Sequence, residues 1–262
     1  MANNTNSKKY DVWISILTLF GFGIAWEWGP SLFEIPPYII PSASSVFTEF
    51  IHAIDNERLF YHTGITLLET IAGFIVGSLL GMVIGYVLGV SPKTEFVLSP
   101  YILALQIAPK VAFAPLFVVW FGFTVYPKIL VAVLIVFFPI MVNVLSAIRT
   151  VDPDMINLAR TFNATRWQIF RMIEFRDAMS PLFAGLRIGS TLAIIGVAVG
   201  EMVGGSEGLG AVLVGGGGSG NTALVFVAIV MMTLAGIAVY GSVVLVEKRV
   251  LHYMPRNEFN SI

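Results

Sequence analysis

Apolar runs of about twenty residues recur along this chain, and they restrict its fold more than any other feature of the sequence. Charged residues make up 12% of the 262 residues, whereas soluble domains carry about 25%. A helix needs roughly 20 apolar residues to cross the hydrocarbon core of a bilayer. The runs therefore predict an all-α, polytopic membrane protein with six transmembrane helices in a single domain over residues 1–262. The six predicted spans are 12–28, 65–88, 96–121, 127–148, 181–203 and 222–246.

Positive charge is distributed unevenly between the segments that connect these spans. Cytoplasmic segments of membrane proteins carry the excess of lysine and arginine. The pattern therefore predicts that both termini and the loop 149–180 are cytoplasmic, and that segments 30–61 and 204–221 face outward. Arg58 and Lys128 fall in outer segments, and Arg187 falls within a span. The predicted cytoplasmic cations are eleven of the fifteen: Lys8, Lys9, Lys93, Arg149, Arg160, Arg166, Arg171, Arg176, Lys248, Arg249 and Arg256.

Glycine recurs at every fourth position of the second predicted span, as Gly73, Gly77, Gly81, Gly85 and Gly89. Each glycine costs a helix about 1 kcal/mol relative to alanine, so five on one face need a structural reason. In membranes, small residues on one face let two helices approach closely. The stripe therefore predicts a close helix contact, either within the chain or at a subunit boundary that changes during gating.

The loop 149–180 begins with the signals of a short amphipathic helix. Asp152 is a favoured capping residue, and Pro153 is a favoured first residue of a helix. Apolar residues follow at helical spacing, on one face. Asn163 comes next, and asparagine readily adopts the left-handed turn that ends a helix. The residues on the predicted apolar face are Met155, Leu158, Ala159 and Phe162.

A second short helix is predicted immediately after this turn. Thr165 and Gln168 have the spacing of a capping box, and Trp167, Phe170 and Ile173 give the helix an apolar side. The pair Ser180–Pro181 predicts that a separate helix, the fifth span, begins there. Two alternatives stay open for this loop: it lies on the anionic inner leaflet through its arginines, or it docks on a soluble partner.

The loop resembles a motif of the inner-membrane permease subunits of binding-protein-dependent ABC importers. That motif has the form E-A-A, three residues, Gly, nine residues, I-x-L-P. The matching positions here are Asn157, Leu158 and Ala159, then Asn163, then Ile173, Phe175 and Arg176. The spacing is retained, but asparagine replaces Glu at 157 and Gly at 163, leucine replaces Ala at 158, and arginine replaces Pro at 176.

Further blocks extend the resemblance over about residues 63–250. They read LLETIAGFIVGSLLGMVIGYVLG, APKVAFAPLFVVWFGF, FFPIMVN, VGEMVGGSEGLG and TALVFVAIV. They are similar to the nitrate/sulfonate/taurine-type permeases, and more narrowly to the branch with putative riboflavin and thiamine-precursor permeases. The resemblance implies the type I ABC importer permease architecture, in which the two short helices of the loop couple to a cytoplasmic ATPase. The residues it assigns to that contact are Asn157, Leu158, Ala159, Phe162, Asn163, Ala164, Thr165, Arg166, Trp167 and Phe170.

Polar residues inside the third span are the first candidates for a translocation pathway. Pro100, Pro109 and Pro115 interrupt this span, and Lys110 lies near its middle, close to Gln106. Ionisable groups inside membranes are costly and are often functional, and broken helices at mid-depth often form substrate sites in transporters. We therefore predict Gln106, Pro109 and Lys110 as pathway residues. The alternative is that Lys110 snorkels or forms a pair.

Three further features lie towards the predicted outer side. Glu201 precedes the sequence GGSEGLG, and it either lines the pathway or steadies that glycine-rich turn. Glu69 is predicted as an interface or capping group. The run Gly215–Gly220 is predicted as a flexible connection.

The chain contains no motif for nucleotide binding or catalysis, no cysteine, and three histidines too scattered to predict a metal site. The resemblance implies a bacterial inner-membrane permease, and we expect no cofactor or nucleic-acid partner of its own. Its expected partners are an ATPase homodimer that binds ATP and Mg²⁺, an external solute-binding protein, a second copy of this chain and membrane lipid. The expected cargo is an aromatic or heterocyclic vitamin or precursor, or a sulfonate- or nitrate-like anion. The alternatives are an ion-coupled secondary transporter and a non-transporting scaffold.

Overall fold

The computed structural model describes residues 4–252, with side chains from residue 13 onward. This part of the chain is helical and contains no β-strand. Arg256, one of the predicted cytoplasmic cations, lies outside the described residues, as do the side chains of Lys8 and Lys9. The helices are α1 (Asn4–Leu32), α2 (Ala43–Asn56), α3 (Leu59–Val90), α4 (Pro92–Ile107), α5 (Ala114–Phe121), α6 (Val125–Arg149), α7 (Pro153–Thr161), α8 (Arg166–Ile169), α9 (Phe175–Gly204), α10 (Leu209–Gly218) and α11 (Thr222–Val250).

Four continuous helical segments of the described chain are long and apolar enough to cross a membrane. They are α3, α6, the continuous segment Arg166–Gly204 and α11. The bent pair formed by α4 and the segment Lys110–Phe121 gives a fifth if it is counted as one span. The first predicted span falls inside α1, which does not meet the same test. The all-helical membrane fold is therefore confirmed, whereas the count of six spans stays a prediction.

The third predicted span is not a straight helix. α4 ends at Ile107, a 3₁₀ turn covers Lys110–Phe113, and the two halves are bent by 83°. Ala108 has ψ of 137°, which is the extended conformation that a following proline imposes. Pro100 lies inside α4 without ending it. Pro115 lies in the first turn of α5, where its missing N–H has no helical partner to lose. Of the three prolines, Pro109 therefore marks the break.

The core is a layered packing of three long helices, with α6 between α3 and α9. The glycine stripe of α3 faces α6. A Cβ atom built on Gly85 would lie 2.6 Å from the Met141 carbonyl oxygen, so no larger residue fits there without a shift. α9 also packs closely on α6, since Ala132 of α6 is in close contact with both Gly73 of α3 and Gly196 of α9. The stripe is therefore an intrachain packing surface, the first of the two predicted interpretations.

The loop 149–180 differs from its prediction in one respect. α7 begins at Pro153 with Asp152 as its cap, and Asn163 has φ of +55°, as the sequence indicated. Thr165 and Gln168 form the predicted capping box. The second helix, however, does not end before the fifth span. It continues through a π-helical turn, Phe170–Glu174, into α9.

The predicted helix start at Ser180–Pro181 is therefore wrong. Pro181 lies inside α9, although proline removes a hydrogen bond from a helix interior. The buried residues Ala178, Leu182 and Phe183 surround it and pack in the core. This packing on both sides of Pro181 outweighs the local cost of the proline.

The glycine-rich run is another correction. Gly215–Gly218 are the last residues of α10 rather than part of a flexible connection. Leu209 and Val212, at the start of α10, are buried in a cluster with residues of α2 and α11. A Cβ atom on Gly216 would lie 3.3 Å from the Leu224 side chain. Tertiary contacts therefore hold this helix in place despite the low helix propensity of glycine.

Candidate functional site

α7 and α8 present an apolar surface that the described chain leaves uncovered. Met155, Leu158, Phe162 and Trp167 form this surface, which we call the loop face, and their exposed fractions range from 53% to 79%. A group of large exposed apolar side chains on one surface is typical of an interaction site, whereas single exposed apolar residues are common. Among the other residues assigned to coupling, Asn157, Asn163, Thr165 and Arg166 are exposed, and Ala159 and Ala164 are half-buried. The loop face can therefore accommodate an apolar partner.

Phe170 is the exception among the predicted coupling residues, because it packs against its own chain. Its ring centroid lies 4.9 Å from that of Tyr86 and 5.7 Å from that of Phe175. Next to it, buried Glu174 accepts hydrogen bonds from Arg166 (2.7 Å) and from the Tyr86 hydroxyl (3.1 Å). These contacts fasten the second helix of the loop to α3, so movement of the loop face would be transmitted to the membrane helices.

Gln106, Pro109 and Lys110 come together at the bend between α4 and α5. The Lys110 ammonium donates a hydrogen bond to the Gln106 carbonyl oxygen and lies 4.9 Å from the centroid of the Phe138 ring. A cation in this position gains an interaction with the aromatic face. The sequence therefore located three residues that the fold brings to one place. Their role in a pathway stays a prediction.

Glu201 is completely buried and holds the beginning of α10. Its Oε1 accepts a hydrogen bond from the Thr66 hydroxyl (2.7 Å), and its Oε2 accepts one from the Gly210 N–H (2.6 Å). Thr66 and His62 accept from the two preceding backbone N–H groups, those of Leu209 (2.8 Å) and Gly208 (2.9 Å). Side chains of other helices thus satisfy the first N–H groups of α10, which have no partner inside that helix. This geometry favours the prediction that Glu201 steadies the glycine-rich turn.

The glycines of this turn make room for the Glu201 carboxylate. Gly208 has φ of +105°, a conformation that side chains rarely adopt, and a Cβ atom there would collide with that carboxylate. A Cβ atom on Gly210 would lie 2.6 Å from the Cβ of Glu201. Gly208 and Gly210 of the sequence GGSEGLG are therefore required because a larger residue at either position would collide with the buried Glu201 side chain.

Sequence reasoning missed a buried ion pair beside this turn. Lys128 was placed in an outer segment, but its ammonium lies 2.8 Å from Glu69 Oε1, and both side chains are 6% exposed. It also donates to the Glu207 carbonyl oxygen at 3.1 Å. Arg187 was likewise left without a partner, and it pairs with Glu247 of α11, with Nε 2.6 Å from Oε2. The sequence did contain a signal for these two pairs, because acidic and basic residues within apolar segments usually pair with each other inside membranes.

Removing the Glu201 carboxylate is expected to destabilise the end of the fold at which α10 begins. Glu201→Ala leaves the Gly210 N–H and the Thr66 hydroxyl buried without an acceptor, which costs about 2–4 kcal/mol. Glu201→Gln keeps an amide oxygen for one of these donors, so its loss is expected to be smaller. Thermal unfolding of the purified protein would measure both. Equal stability of Glu201→Ala and the wild type would contradict this role.

Comparisons with known proteins match most of the chain. The model of a family described as "Binding-protein-dependent transport system inner membrane component" matches residues 77–252. The riboflavin transport system permease protein RibX of Chloroflexus aurantiacus is 38% identical over 237 residues, which cover 90% of this chain and 88% of that protein. The putative aliphatic sulfonates transport permease protein SsuC of Bacillus subtilis is 30% identical over 253 residues, covering 96% and 91%. The formylaminopyrimidine transport permease protein ThiX of Halalkalibacterium halodurans is 33% identical over 175 residues, covering 66% and 69%.

Proposed function

Because the chain belongs to the family of binding-protein-dependent transport system inner membrane components, we propose that it couples solute import to ATP hydrolysis by a separate subunit. Its membership makes it a multi-pass membrane transport permease. The observation that carries the proposal is the loop face, because Leu158, Phe162 and Trp167 are exposed apolar residues at the positions that the resemblance assigns to ATPase contact.

The contacts beneath the loop face support mechanical coupling. The helix that carries Trp167 runs without interruption from Arg166 to Gly204, over 39 residues. The Arg166–Glu174–Tyr86 contacts join its first part to α3. A displacement of the loop face by a partner would therefore tilt α9 and act on α3. We propose that the partner is a dimeric cytoplasmic ATPase that binds ATP and Mg²⁺, and that both termini of this chain are also cytoplasmic.

The remaining partners follow from the family description and from the apolar surface of the chain. A binding-protein-dependent system delivers solute through a separate binding protein, which we place on the outer side. α4 and α5 expose large apolar residues, among them Ile107, Val119 and Trp120. A second copy of this chain and membrane lipid together would cover such surfaces and enclose a pathway.

For the cargo, we propose a small organic or anionic solute, best represented by an aromatic or heterocyclic vitamin or precursor. The support is that the relatives are named for riboflavin, aliphatic sulfonates and formylaminopyrimidine. Lys110 would supply one positive charge at the bend, which suits an anionic group but does not select one. A thermal-shift screen of the purified complex against vitamins, sulfonates and inorganic anions would identify the class.

Reconstitution into proteoliposomes tests the proposed function against the two alternatives. We expect solute uptake that requires the ATPase, the binding protein and ATP together. Uptake by this chain alone, driven by an ion gradient, would indicate a secondary transporter. Binding of the ATPase with no solute movement under any condition would indicate a scaffold.

Replacing Lys110 is expected to slow transport without preventing assembly. Lys110→Ala removes the hydrogen bond of the ammonium to the Gln106 carbonyl oxygen and its contact with the Phe138 ring. If the ammonium contacts solute, losing one charge-assisted interaction lowers the uptake rate by about tenfold. Uptake assays with Lys93→Ala as a control would measure the effect. Normal uptake by Lys110→Ala would remove this residue from the pathway.

A further inference from the structure

An apolar cavity of about 240 Å³ lies between α3, α6 and the beginning of α9. Met82, Tyr86 and Val87 line it from α3, and Phe175 and Ala178 line it from α9. Val87 and Phe175 are 47% and 45% exposed, so the cavity opens to the outside of the chain. Protein interiors are closely packed and leave few voids larger than a water molecule. None of the described residues fills this cavity, so a separate apolar molecule can occupy it.

The depth of the cavity matches one leaflet of a bilayer. Met82 lies eight residues before Val90, the last residue of α3, which is a distance of about 12 Å along the helix. On α6 the cavity is lined by Val144 and Ile148, next to the helix end at Arg149. Half of the hydrocarbon core measures about 15 Å. The cavity thus lies at the level of the acyl chains on the side of the loop 149–180, and its lining residue Val83 is exposed at the same depth.

Three arginines directly follow cavity-lining residues in the chain. Arg149 follows Ile148 and pairs with Glu95, whereas Arg171 and Arg176 follow Phe170 and Phe175 and are exposed. Arg166 is bound to Glu174, which also accepts the hydrogen bond of a lining tyrosine. Positive charges at the end of an apolar groove attract lipids with anionic headgroups. The arrangement combines an apolar groove with exposed arginines at neighbouring positions of the chain.

We propose that this cavity binds one acyl chain of an anionic phospholipid of the inner leaflet, with the headgroup phosphate near Arg171. The proposal rests on the cytoplasmic orientation proposed above. The bound lipid contacts α3 and also Phe170, beneath the loop face, and therefore stabilises the position from which the loop face acts. The arginines of the loop then bind the lipid headgroup, whereas the exposed apolar residues of the loop bind the protein partner.

Native mass spectrometry of the full-length chain in detergent tests the proposal with two probes of identical acyl chains, phosphatidylglycerol and phosphatidylcholine. We expect one phosphatidylglycerol per chain, retained about tenfold more strongly than phosphatidylcholine. Val87→Trp fills the mouth of the cavity and is expected to weaken retention of both lipids by about tenfold. Val76→Trp is the matched control, because Val76 is a similarly exposed valine of α3 outside the cavity. Val87→Phe serves as a second, smaller replacement if the tryptophan variant does not fold.

The headgroup contact is tested separately. Arg171→Gln is expected to reduce the preference for phosphatidylglycerol to about that of phosphatidylcholine, whereas Arg160→Gln, on the exposed surface of α7, is expected to retain it. Equal lipid retention by Val87→Trp and Val76→Trp would overturn the proposal. So would a loss of dimer mass in Val87→Trp, because it would mean that a second copy occupies the cavity. Labelling of the loop from outside intact cells would instead refute the proposed orientation, independently of lipid retention by the purified chain.

Discussion

Replacing Phe162 with aspartate is expected to weaken strongly the association of the permease with the proposed ATPase. Phe162 is 79% exposed at the end of α7, the largest exposed fraction among the four residues of the loop face. Buried aromatic residues dominate the binding energy of many interfaces, and a carboxylate forced into an apolar interface is not solvated. We expect affinity for the ATPase to fall by about 10²- to 10³-fold, measured by co-purification and by titration of the ATPase.

Two further measurements make this prediction specific. Phe162→Leu keeps an apolar side chain at the same position and is expected to retain most of the affinity. Membrane insertion and thermal stability of Phe162→Asp should equal those of the wild type, because the side chain is mostly exposed in the chain. Undiminished co-purification of Phe162→Asp would show that the loop face is not the docking surface, and would favour the alternative in which it lies on lipid.

Gly85→Leu is expected to disrupt the packing of α3 on α6. Even the first added carbon would lie 2.6 Å from the Met141 carbonyl oxygen, and backbone cannot move aside as a flexible side chain can. The two helices must separate along their length, so we expect a loss of about 3 kcal/mol or more, at the upper end of overpacking costs. Thermal unfolding in detergent, followed by size-exclusion chromatography, would measure the loss.

The matched control for this prediction is Gly64→Leu in the same helix. A Cβ atom on Gly64 meets no atom within 4 Å, so leucine is expected to be tolerated there. Comparing the two variants separates the effect of close helix approach on stability from the general effect of replacing a glycine within a helix. A Gly85→Leu variant as stable as Gly64→Leu would show that the contact between α3 and α6 is looser than described.

Local signals in the sequence predicted several elements because the interactions that form them are themselves local. Asp152 caps α7 through the N–H of Asp154, two residues away, and Thr165 and Gln168 bond to each other across one turn. Asn163 adopts a left-handed conformation that depends on its own residue type. The same signals predicted a break at Ser180–Pro181 that does not exist, because contacts with α6 and α11 decide whether a helix continues.

The buried contacts around Glu69, Lys128 and Glu201 show what local sequence patterns cannot predict. Glu69 and Lys128 are 59 positions apart, and Thr66 and Glu201 are 135 apart. No local pattern states which buried charges will meet across such separations. The sequence located Glu201 next to its glycine-rich turn, but the choice between lining a pathway and steadying the turn required the positions of two other helices, α3 and α10.

The sequence by itself determined that this protein lies in a membrane and which of its surfaces are apolar or charged. The apolar runs are too long for the core of a soluble domain, and they therefore place the chain in a membrane. The spans must be helical there, because unpaired charges and unpaired backbone polar groups are costly in lipid. The tertiary structure alone decided where the helices bend, which glycines face α6, and which charges pair in the interior. Those outcomes depend on contacts between residues far apart in the chain, and their energies outweigh the preferences of any single segment.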